Sequence, residues 1–190
     1  MTGSANLYLA LIHHPVYNKR AEVIASAVSN LDLHDISRAA KTYSAQAFYV
    51  VTPLADQREL VRRIVSHWTQ GAGASYNPDR RAALEIIRIV SSLDDAVDEI
   101  SGKGGQGRPV MVVTDARAHP QSISYTELSE MLDSGRPFLL IFGTAWGLTR
   151  EFIERADFVL APIMGPTGYN HLSVRSAAAI ILDRLLGRER

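Results

Sequence analysis

The sequence contains no cysteine, so it forms no disulfide bond and uses neither a thiolate nucleophile nor a cysteine-bound metal. It also lacks any run of about 20 apolar residues, the length that a membrane-spanning helix needs. The N-terminus shows no basic segment followed by a long apolar stretch, which is the pattern of a secretory signal. These absences predict a soluble protein of the cytoplasm with no membrane partner.

The chain carries no net charge, because its 20 basic residues balance 20 acidic ones. This balance argues against a protein that holds nucleic acid by phosphate neutralisation alone, since such binding needs an excess of positive charge. The distribution of charge still matters, and arginines cluster at Arg58, Arg62 and Arg63 and again at Arg80 and Arg81. These clusters are either solvated surface or, together with the loop at 71–81, a contact for RNA.

Apolar runs of strand length alternate with amphipathic segments along all 190 residues, of which 46% are hydrophobic. This pattern predicts one α/β domain over residues 1–190, with a mostly parallel sheet and helices on both faces. Predicted strands are 7–13, 22–28 (ambiguous with helix), 47–51, 83–90, 109–114, 138–142 and 158–161. Predicted helices are 30–40, 56–69, 92–100, 124–135, a short one after 148, and 172–186.

Three local patterns refine this prediction. The helix at 56–69 places Leu60, Ile64, Val65 and Trp68 on its inner face. The small and polar residues at 70–78 (QGAGASYNP) are typical of a loop. Residues 102–107 (GKGGQG) match the G-x-G-x-x-G dinucleotide pattern, but they follow a helix and precede a strand. Phosphate binding requires the reverse order, so we predict a flexible turn there.

The C-terminal part of the chain holds two strand ends that open into loops of small residues. The strand at 138–142 runs into Gly143-Thr-Ala-Trp-Gly-Leu148, and the strand at 158–161 runs into a loop at 162–171. Ligands of open α/β sheets sit at this edge, and glycine permits a close approach of the backbone. The two loops therefore predict a small-molecule site. Asn170 is either the cap of the last helix or a ligand contact.

Three stretches resemble the motifs of a known family. Residues 140–148 (LIFGTAWGL) resemble the second motif of the trefoil-knot (SPOUT) RNA methyltransferases, and residues 170–181 (NHLSVRSAAAII) resemble the third. Residues 30–40, ending in SRAA, resemble the first. The resemblance implies a C-terminal trefoil knot over about residues 110–190, in which the last helix threads a loop and the knot forms the cofactor pocket. Alternation of strands and helices alone does not predict a knot.

The resemblance also implies a reaction and its participants. The protein would move a methyl group from S-adenosylmethionine to tRNA or rRNA without a metal, as a homodimer whose second subunit completes the substrate site. Backbone groups of three loops would hold the cofactor. The side of the last helix bearing Ala178, Ile181, Leu182 and Leu185 would lie partly at the dimer interface, although these apolar positions suit the core equally well. The residues expected around the cofactor are Thr114, Gly143, Thr144, Gly147, Ala161, Ile163, His171 and Leu172.

Arg38 is the candidate for the chemical step, because the ribose-methylating members of the resembling family carry an arginine at the end of their first motif. Its guanidinium would hold the target phosphate or steer deprotonation of the attacking hydroxyl. The usual asparagine six residues earlier is Asp32 here, and the usual glycine is His34. Asn30 would supply the amide in a shifted register, and Asn170 is the third candidate catalytic residue.

The third motif leaves the modified atom open. Ser173-Val174 and the alanines that follow resemble the ribose methyltransferases, whereas Asn170-His171 and Arg175 resemble the tRNA guanine ring-nitrogen methyltransferases. Two other functions also stay open. One is a knotted protein that binds RNA or the ribosome without catalysis, and the other is a flavodoxin-like domain that binds another nucleotide. The pair at positions 13 and 14, two histidines, lacks companion ligands at metal spacing, so no metal site is expected.

Overall fold

A computed structural model describes residues 5–102 and 107–187. Its strands are β1 (Leu7–Ile12), β2 (Val16–Tyr17), β3 (Val23–Ile24), β4 (Ala47–Val51), β5 (Ile87–Val90), β6 (Val110–Thr114), β7 (Ser122–Ile123), β8 (Phe138–Gly143) and β9 (Phe158–Leu160). Its helices are α1 (Asn30–Thr42), α2 (Ala55–Thr69), α3 (Ala72–Tyr76), α4 (Pro78–Leu84), α5 (Leu93–Gly102), α6 (Tyr125–Leu132), α7 (Arg150–Glu154) and α8 (Val174–Leu186).

Seven of the strands form one sheet in the order β5-β4-β1-β8-β6-β9-β7, and all neighbouring strands in it are parallel. Every residue of β1 is buried, and β8 is buried except for its last residue. Buried parallel strands read as continuous apolar runs because both of their faces are covered. The predicted α/β class with a parallel sheet is confirmed. Within the described residues, no helix is long and apolar enough to cross a bilayer.

The two faces of the sheet carry separate hydrophobic cores. Side chains along β1 alternate between them, as they must in a strand, with Leu9 on one face and Ala10 on the other. Helices α1, α2, α4, α6 and α8 cover the first face, and α5 and α7 contribute to the second. Helix α8 packs against both α1 and α6, and this contact brings the end of the chain beside the first long helix.

The predicted strand at 22–28 is mostly wrong. Only Val23 and Ile24 pair, in a two-stranded antiparallel hairpin with β2. The hairpin turns at Asn18, whose side-chain oxygen accepts hydrogen bonds from the backbone amides of Arg20 and Glu22. Beyond the hairpin, the amide of Ser26 donates to the carbonyl of His13 at 2.7 Å, so the segment returns to the end of β1 instead of extending the hairpin.

The predicted loop at 70–78 is also wrong, because α3 and the start of α4 occupy it. Asn77 caps α4 by accepting a hydrogen bond from the amide of Arg80 at 2.9 Å, and Pro78 takes the first helical position. Gly73 is buried against Trp68, where a Cβ would lie 2.6 Å from the indole ring. The glycine therefore serves close packing between helices. Strand β5 begins at Ile87, later than predicted, because α4 runs to Leu84.

Three smaller expectations have different outcomes. The predicted helix at 124–135 is present as α6, which begins with a capping box in which Ser124 and Glu127 exchange side chain-to-backbone hydrogen bonds. The inner face of α2 is formed by Val61 and its neighbours, and the placement of Leu60 there is wrong, because 42% of that residue is exposed. Most of the predicted glycine turn at 102–107 lies outside the described residues.

Candidate active site

A cleft of about 1050 Å³ opens at the carboxyl ends of the central strands. Its walls are the loops that follow β6, β8 and β9, the first turns of α8, and the segment between β3 and α1. The cleft floor is apolar, with Phe142, Leu148, Ile163 and Ile181 among its residues. Because parallel strands all end at this edge, three separate loops bring their backbone groups to one place.

The loop after β8 is held in a tight turn. The amide of Gly147 donates to the carbonyl of Thr144 at 3.0 Å, and Ala145 and Gly147 have positive φ angles of 52° and 98°. A Cβ on Gly143 would lie 2.8 Å from Cγ of Leu148, so the loop closes only over a glycine there. The requirement for small residues in this stretch therefore has a steric cause.

This loop is also bound to the β2–β3 hairpin. The amide of Trp146 donates to the carbonyl of Tyr17, and the amide of Tyr17 donates to the carbonyl of Gly147, both at 2.9 Å. The indole of Trp146 nevertheless stays 66% exposed, at the junction of the cleft with a second groove that passes the hairpin. The hairpin thus fixes the backbone of the loop and leaves a large aromatic surface open.

A buried histidine at the end of β1 supports the same loop through a chain of hydrogen bonds. His13 is fully buried at the end of β1, and its Nδ1 lies 3.0 Å from Oγ of Ser26. That hydroxyl lies 2.6 Å from Oγ1 of Thr144, which donates to the carbonyl of Ile12. Burial lowers the pKa of His13 to about 4, so the imidazole is neutral at physiological pH. Spacing along the sequence does not predict this support, because Ser26 and Thr144 lie 118 residues apart.

The loop after β6 contains a compact ionic cluster. Both carboxylate oxygens of Asp115 are occupied: Oδ1 accepts from the amide of Arg117, and Oδ2 lies 2.9 Å from Nε2 of His119. Burial by itself would raise the pKa of Asp115, but these hydrogen bonds and the nearby guanidinium hold it below its usual value. Thr114 Oγ1 donates to the carbonyl of Ile141 and closes the end of the strand.

The loop after β9 crosses to the loop after β6. Nδ2 of Asn170 donates to the carbonyl of Ala116 at 2.8 Å. The interpretation of Asn170 as a helix cap is wrong, because α8 begins at Val174 and its cap is Ser173, whose Oγ accepts from the amide of Ser176. Asn170 instead joins two walls of the cleft.

A second carboxylate, that of Asp32 on α1, also lines the cleft. Its side chain is only 12% exposed, and Oδ1 lies 3.2 Å from Nη1 of Arg175 on α8. Nε of the same arginine lies 3.5 Å from Oδ2 of Asp35, a residue outside the cleft. From the sequence, Asp32 was only a departure from a motif that has asparagine at this position, and the pairing with Arg175 across 143 residues could not be read from spacing.

The structure places the predicted cofactor residues together. The cleft is lined by all eight of them, Thr114, Gly143, Thr144, Gly147, Ala161, Ile163, His171 and Leu172, and by Asn170. Their contact with the cofactor stays a prediction. Ser26, Asp32 and Asp115 line the same cleft and were not predicted.

Two of the predicted catalytic residues lie elsewhere. Arg38 and Asn30 are exposed on α1, and neither is among the described residues that line the cleft. His34 packs against Trp68, outside the cleft, and burial together with the charge of Arg80 lowers its pKa. Within one chain, α1 therefore offers the cleft Asp32 and not Arg38. The catalytic roles of Arg38 and Asn30 stay predictions.

The arginine clusters on the surface are largely engaged in local contacts. Arg80 lies over the ring of Trp68 at 4.5 Å, and Arg81 is paired with Glu85 at 2.7 Å. Arg62 and Arg63 both pair with Glu59. Exposed pairs of this kind exchange easily with solvent, so an RNA contact through them stays a prediction. Among the described residues, no group of three or more His, Asp or Glu side chains is placed to hold a metal.

Comparison with known proteins defines the class. A family model described as SAM-dependent RNA methyltransferase matches residues 6–187, and the chain belongs to this family. This membership agrees with the expected cofactor, S-adenosylmethionine, and with the expected class of reaction. It favours catalysis over RNA binding alone and counts against a flavodoxin-like protein that binds another nucleotide.

The chain is also similar to particular proteins. It is 46% identical over 182 residues to a tRNA (guanine-N(1)-)-methyltransferase of Oleidesulfovibrio alaskensis, covering 96% of this chain but only 42% of that relative. It is 37% identical to an uncharacterized protein of Aquifex aeolicus, covering 97% and 90% of the two chains. The crystal structure of a TrmH/SpoU tRNA-modifying enzyme from A. aeolicus matches with a TM-score of 0.55 and 16% identity, covering 96% of this chain and 74% of that one. This last likeness concerns the fold, which is of the expected SPOUT class.

Proposed function

We propose that this chain transfers a methyl group from S-adenosylmethionine to a nucleotide of tRNA or rRNA, with the cleft between the three loops as the cofactor site. The observation that carries the proposal is the convergence of loops from β6, β8 and β9 on one cleft lined by all eight residues that the family resemblance predicted. A methyl donor of this kind needs position more than side-chain chemistry, because its sulfonium already carries the reactive methyl group.

The chemistry of the cleft suits this cofactor. The apolar floor around Phe142 and Leu148 fits a purine ring, and the carbonyls of Thr144 and Gly147, which each have a second lone pair, can accept a hydrogen bond from its edge. The carboxylate of Asp115 favours positively charged groups, namely the sulfonium and the amino group of the methionine part.

The RNA would approach along the groove that continues from the cleft. Trp146 is exposed where the two meet, and Lys19, Arg117 and Arg150 line the continuation. Aromatic rings at such a junction stack on unpaired bases, and basic side chains follow the phosphates. Arg150 and Arg117 are paired with Glu154 and Asp115, so they reach phosphate only by exchanging partners.

The fold-level expectations belong to the same proposal. We take residues 1–190 as one domain, with a knot over about residues 110–190. The hydrogen bond from Asn170 to Ala116 supports the knot, because it ties the segment before α8 to the loop after β6. We further propose a cytoplasmic homodimer in which Arg38, exposed on α1, serves the cleft of the partner subunit. The exposed apolar side chains of Met164 and Tyr169, in the loop before α8, support such an interface.

The name of the O. alaskensis relative does not decide which atom is methylated. More than half of that relative lies outside the match, so its guanine-N1 activity belongs to a protein that includes a further long segment. The A. aeolicus protein, which matches over 90% of its length, carries no stated activity. Whether the ribose or the base is methylated must therefore be inferred from the residues that line the cleft of this chain.

Methyl incorporation from labelled S-adenosylmethionine into total tRNA and rRNA tests the proposal. We expect label in one RNA class with the wild-type protein and none with boiled protein. Binding of S-adenosylhomocysteine, measured by calorimetry in parallel, separates the alternatives. A protein that binds the cofactor product and RNA but transfers no label would be a binding protein, and the proposal would be wrong.

A further inference from the structure

We propose that the carboxylate of Asp32 accepts the proton of the methyl acceptor, that Arg175 positions it, and that the acceptor is a ring N–H of a nucleobase and not a ribose hydroxyl. The inference rests on the proposed function and deepens it, because it names the class of atom that is methylated.

The placement of Asp32 is unusual for a residue in the first turn of a helix. It is the third residue of α1, where an acidic side chain commonly folds back to the backbone amide of the cap. Here the cap residue, Ser29, makes no side-chain cap hydrogen bond, and Asp32 is instead bound by Arg175 and lines the cleft. The N-terminal end of α1 and the guanidinium of Arg175 both place positive charge beside this carboxylate.

Of the two carboxylates that line the cleft, Asp32 is the one with an oxygen atom available to accept a further hydrogen bond. Its Oδ1 is engaged by Arg175, and no described residue bonds to its Oδ2. Asp115, the other carboxylate of the cleft, has both oxygens bonded by Arg117 and His119. An ionised carboxyl group has about four lone-pair positions, so Asp32 can accept a further hydrogen bond while Arg175 holds it in place.

The other candidates for a proton acceptor are weaker. Arg175 and Arg38 cannot take a proton, because a guanidinium stays charged in proteins. His171 lines the cleft, but it is exposed on the loop after β9, and its one described side-chain contact is an edge-to-face contact with Tyr169. A proton acceptor needs a fixed position within hydrogen-bond reach, and Asp32 has one through its helix and its ion pair.

The basicity of a carboxylate selects the acceptor. A ring N–H of guanine or uracil is far more acidic than a ribose hydroxyl, so a carboxylate can accept its proton as the new bond forms. In this step the sulfur–methyl bond breaks with its electron pair staying on sulfur, the carbon–nitrogen bond forms, and the proton moves from the ring nitrogen to Oδ2 of Asp32. The products are a neutral thioether, a methylated base and a protonated Asp32, which returns its proton to water.

Variants of the ion pair test the role of Asp32. Asp32→Asn keeps the shape and an oxygen for Arg175 but removes the basic group, so kcat should fall by about 100-fold or more. The Kd of Asp32→Asn for S-adenosylhomocysteine, measured by calorimetry, should stay within about threefold of the wild-type value. Asp35→Asn is the matched control, because Asp35 contacts the same arginine from outside the cleft. Its kcat and its Kd should both stay within about threefold of wild type. Arg175→Lys should retain more of kcat than Arg175→Met, with KM for the cofactor unchanged in both.

The identity of the product tests the inference without any variant. Nucleoside mass spectrometry of RNA methylated by the wild-type protein should show a base-methylated nucleoside. A ribose-methylated product would overturn the inference and leave the proposed function intact. So would an Asp32→Asn protein that binds S-adenosylhomocysteine and keeps wild-type kcat while His171→Ala loses it. Failure of the wild-type protein to methylate any RNA would overturn the proposed function itself.

Discussion

The buried imidazole of His13 makes the stability of this protein depend on pH in a calculable way. Its pKa is about 4 in the folded protein, against 6.5 for an exposed histidine, because burial disfavours the charged ring. Between these values the unfolded chain binds a proton that the folded chain does not, so the free energy of unfolding falls as the pH is lowered. The loss starts near the unfolded pKa and levels off below the folded one.

The size of the effect follows from the two pKa values. Lowering the pH from about 7 to about 4.5 should cost about 2 kcal/mol of unfolding free energy through His13 alone. Urea unfolding at the two pH values measures it in the wild type, in His13→Asn, and in His14→Asn, whose side chain is exposed. The wild type and His14→Asn should lose about 2 kcal/mol more than His13→Asn, since the other titrating groups are common to all three. Equal losses in all three proteins would refute the neutral buried state of His13.

Two further substitutions probe the loop after β8. Gly143→Ala would press a Cβ against Leu148 and should lower the free energy of unfolding, measured in urea, by about 1–3 kcal/mol. Gly165 has open space around it, so Gly165→Ala should not destabilise the protein. Equal stability of the two variants would refute the steric explanation. Trp146→Ala should raise KM for RNA about tenfold with Kd for the cofactor product unchanged, because base stacking on an aromatic ring is worth about 1–3 kcal/mol. Tyr76→Ala, on the surface near Arg80 and Arg81, should leave KM for RNA unchanged. If Tyr76→Ala raised KM and Trp146→Ala did not, the surface around Tyr76 would be favoured as the RNA site.

The sheet was predictable from sequence because its strands are buried on both faces. Residues 138–142 and 7–12 are unbroken apolar runs of strand length. Such runs are typical of parallel strands that are covered on both faces. Residues 70–78 were not predictable in the same way. Glycine and alanine there signal a loop by composition, yet Gly73 is required by the approach of the Trp68 ring, which is a tertiary contact. The local signal of a helix start in this stretch is Asn77-Pro78, a capping residue followed by proline at the first helical position.

The backbone part of the site was predictable, but its ionic part was not. Loops after parallel strands meet at one edge of the sheet, so Gly143 and Leu172 could be placed near each other from their positions alone. The pairing of Asp32 with Arg175 depends on how α8 packs against α1, and the burial of His13 depends on where the hairpin returns. Such contacts join residues far apart in sequence, and no spacing rule predicts them.

Calorimetric titration with S-adenosylhomocysteine tests most directly whether the cleft is the cofactor site. Ala177 lines the cleft on α8, and Ala179 lies on the exposed side of the same helix. Ala177→Phe adds a ring inside the cleft, and Ala179→Phe adds the same ring outside it. The wild type and Ala179→Phe should bind one ligand per chain, and Ala177→Phe should show no binding. Equal binding by the two variants, or none by the wild type, would contradict the assignment.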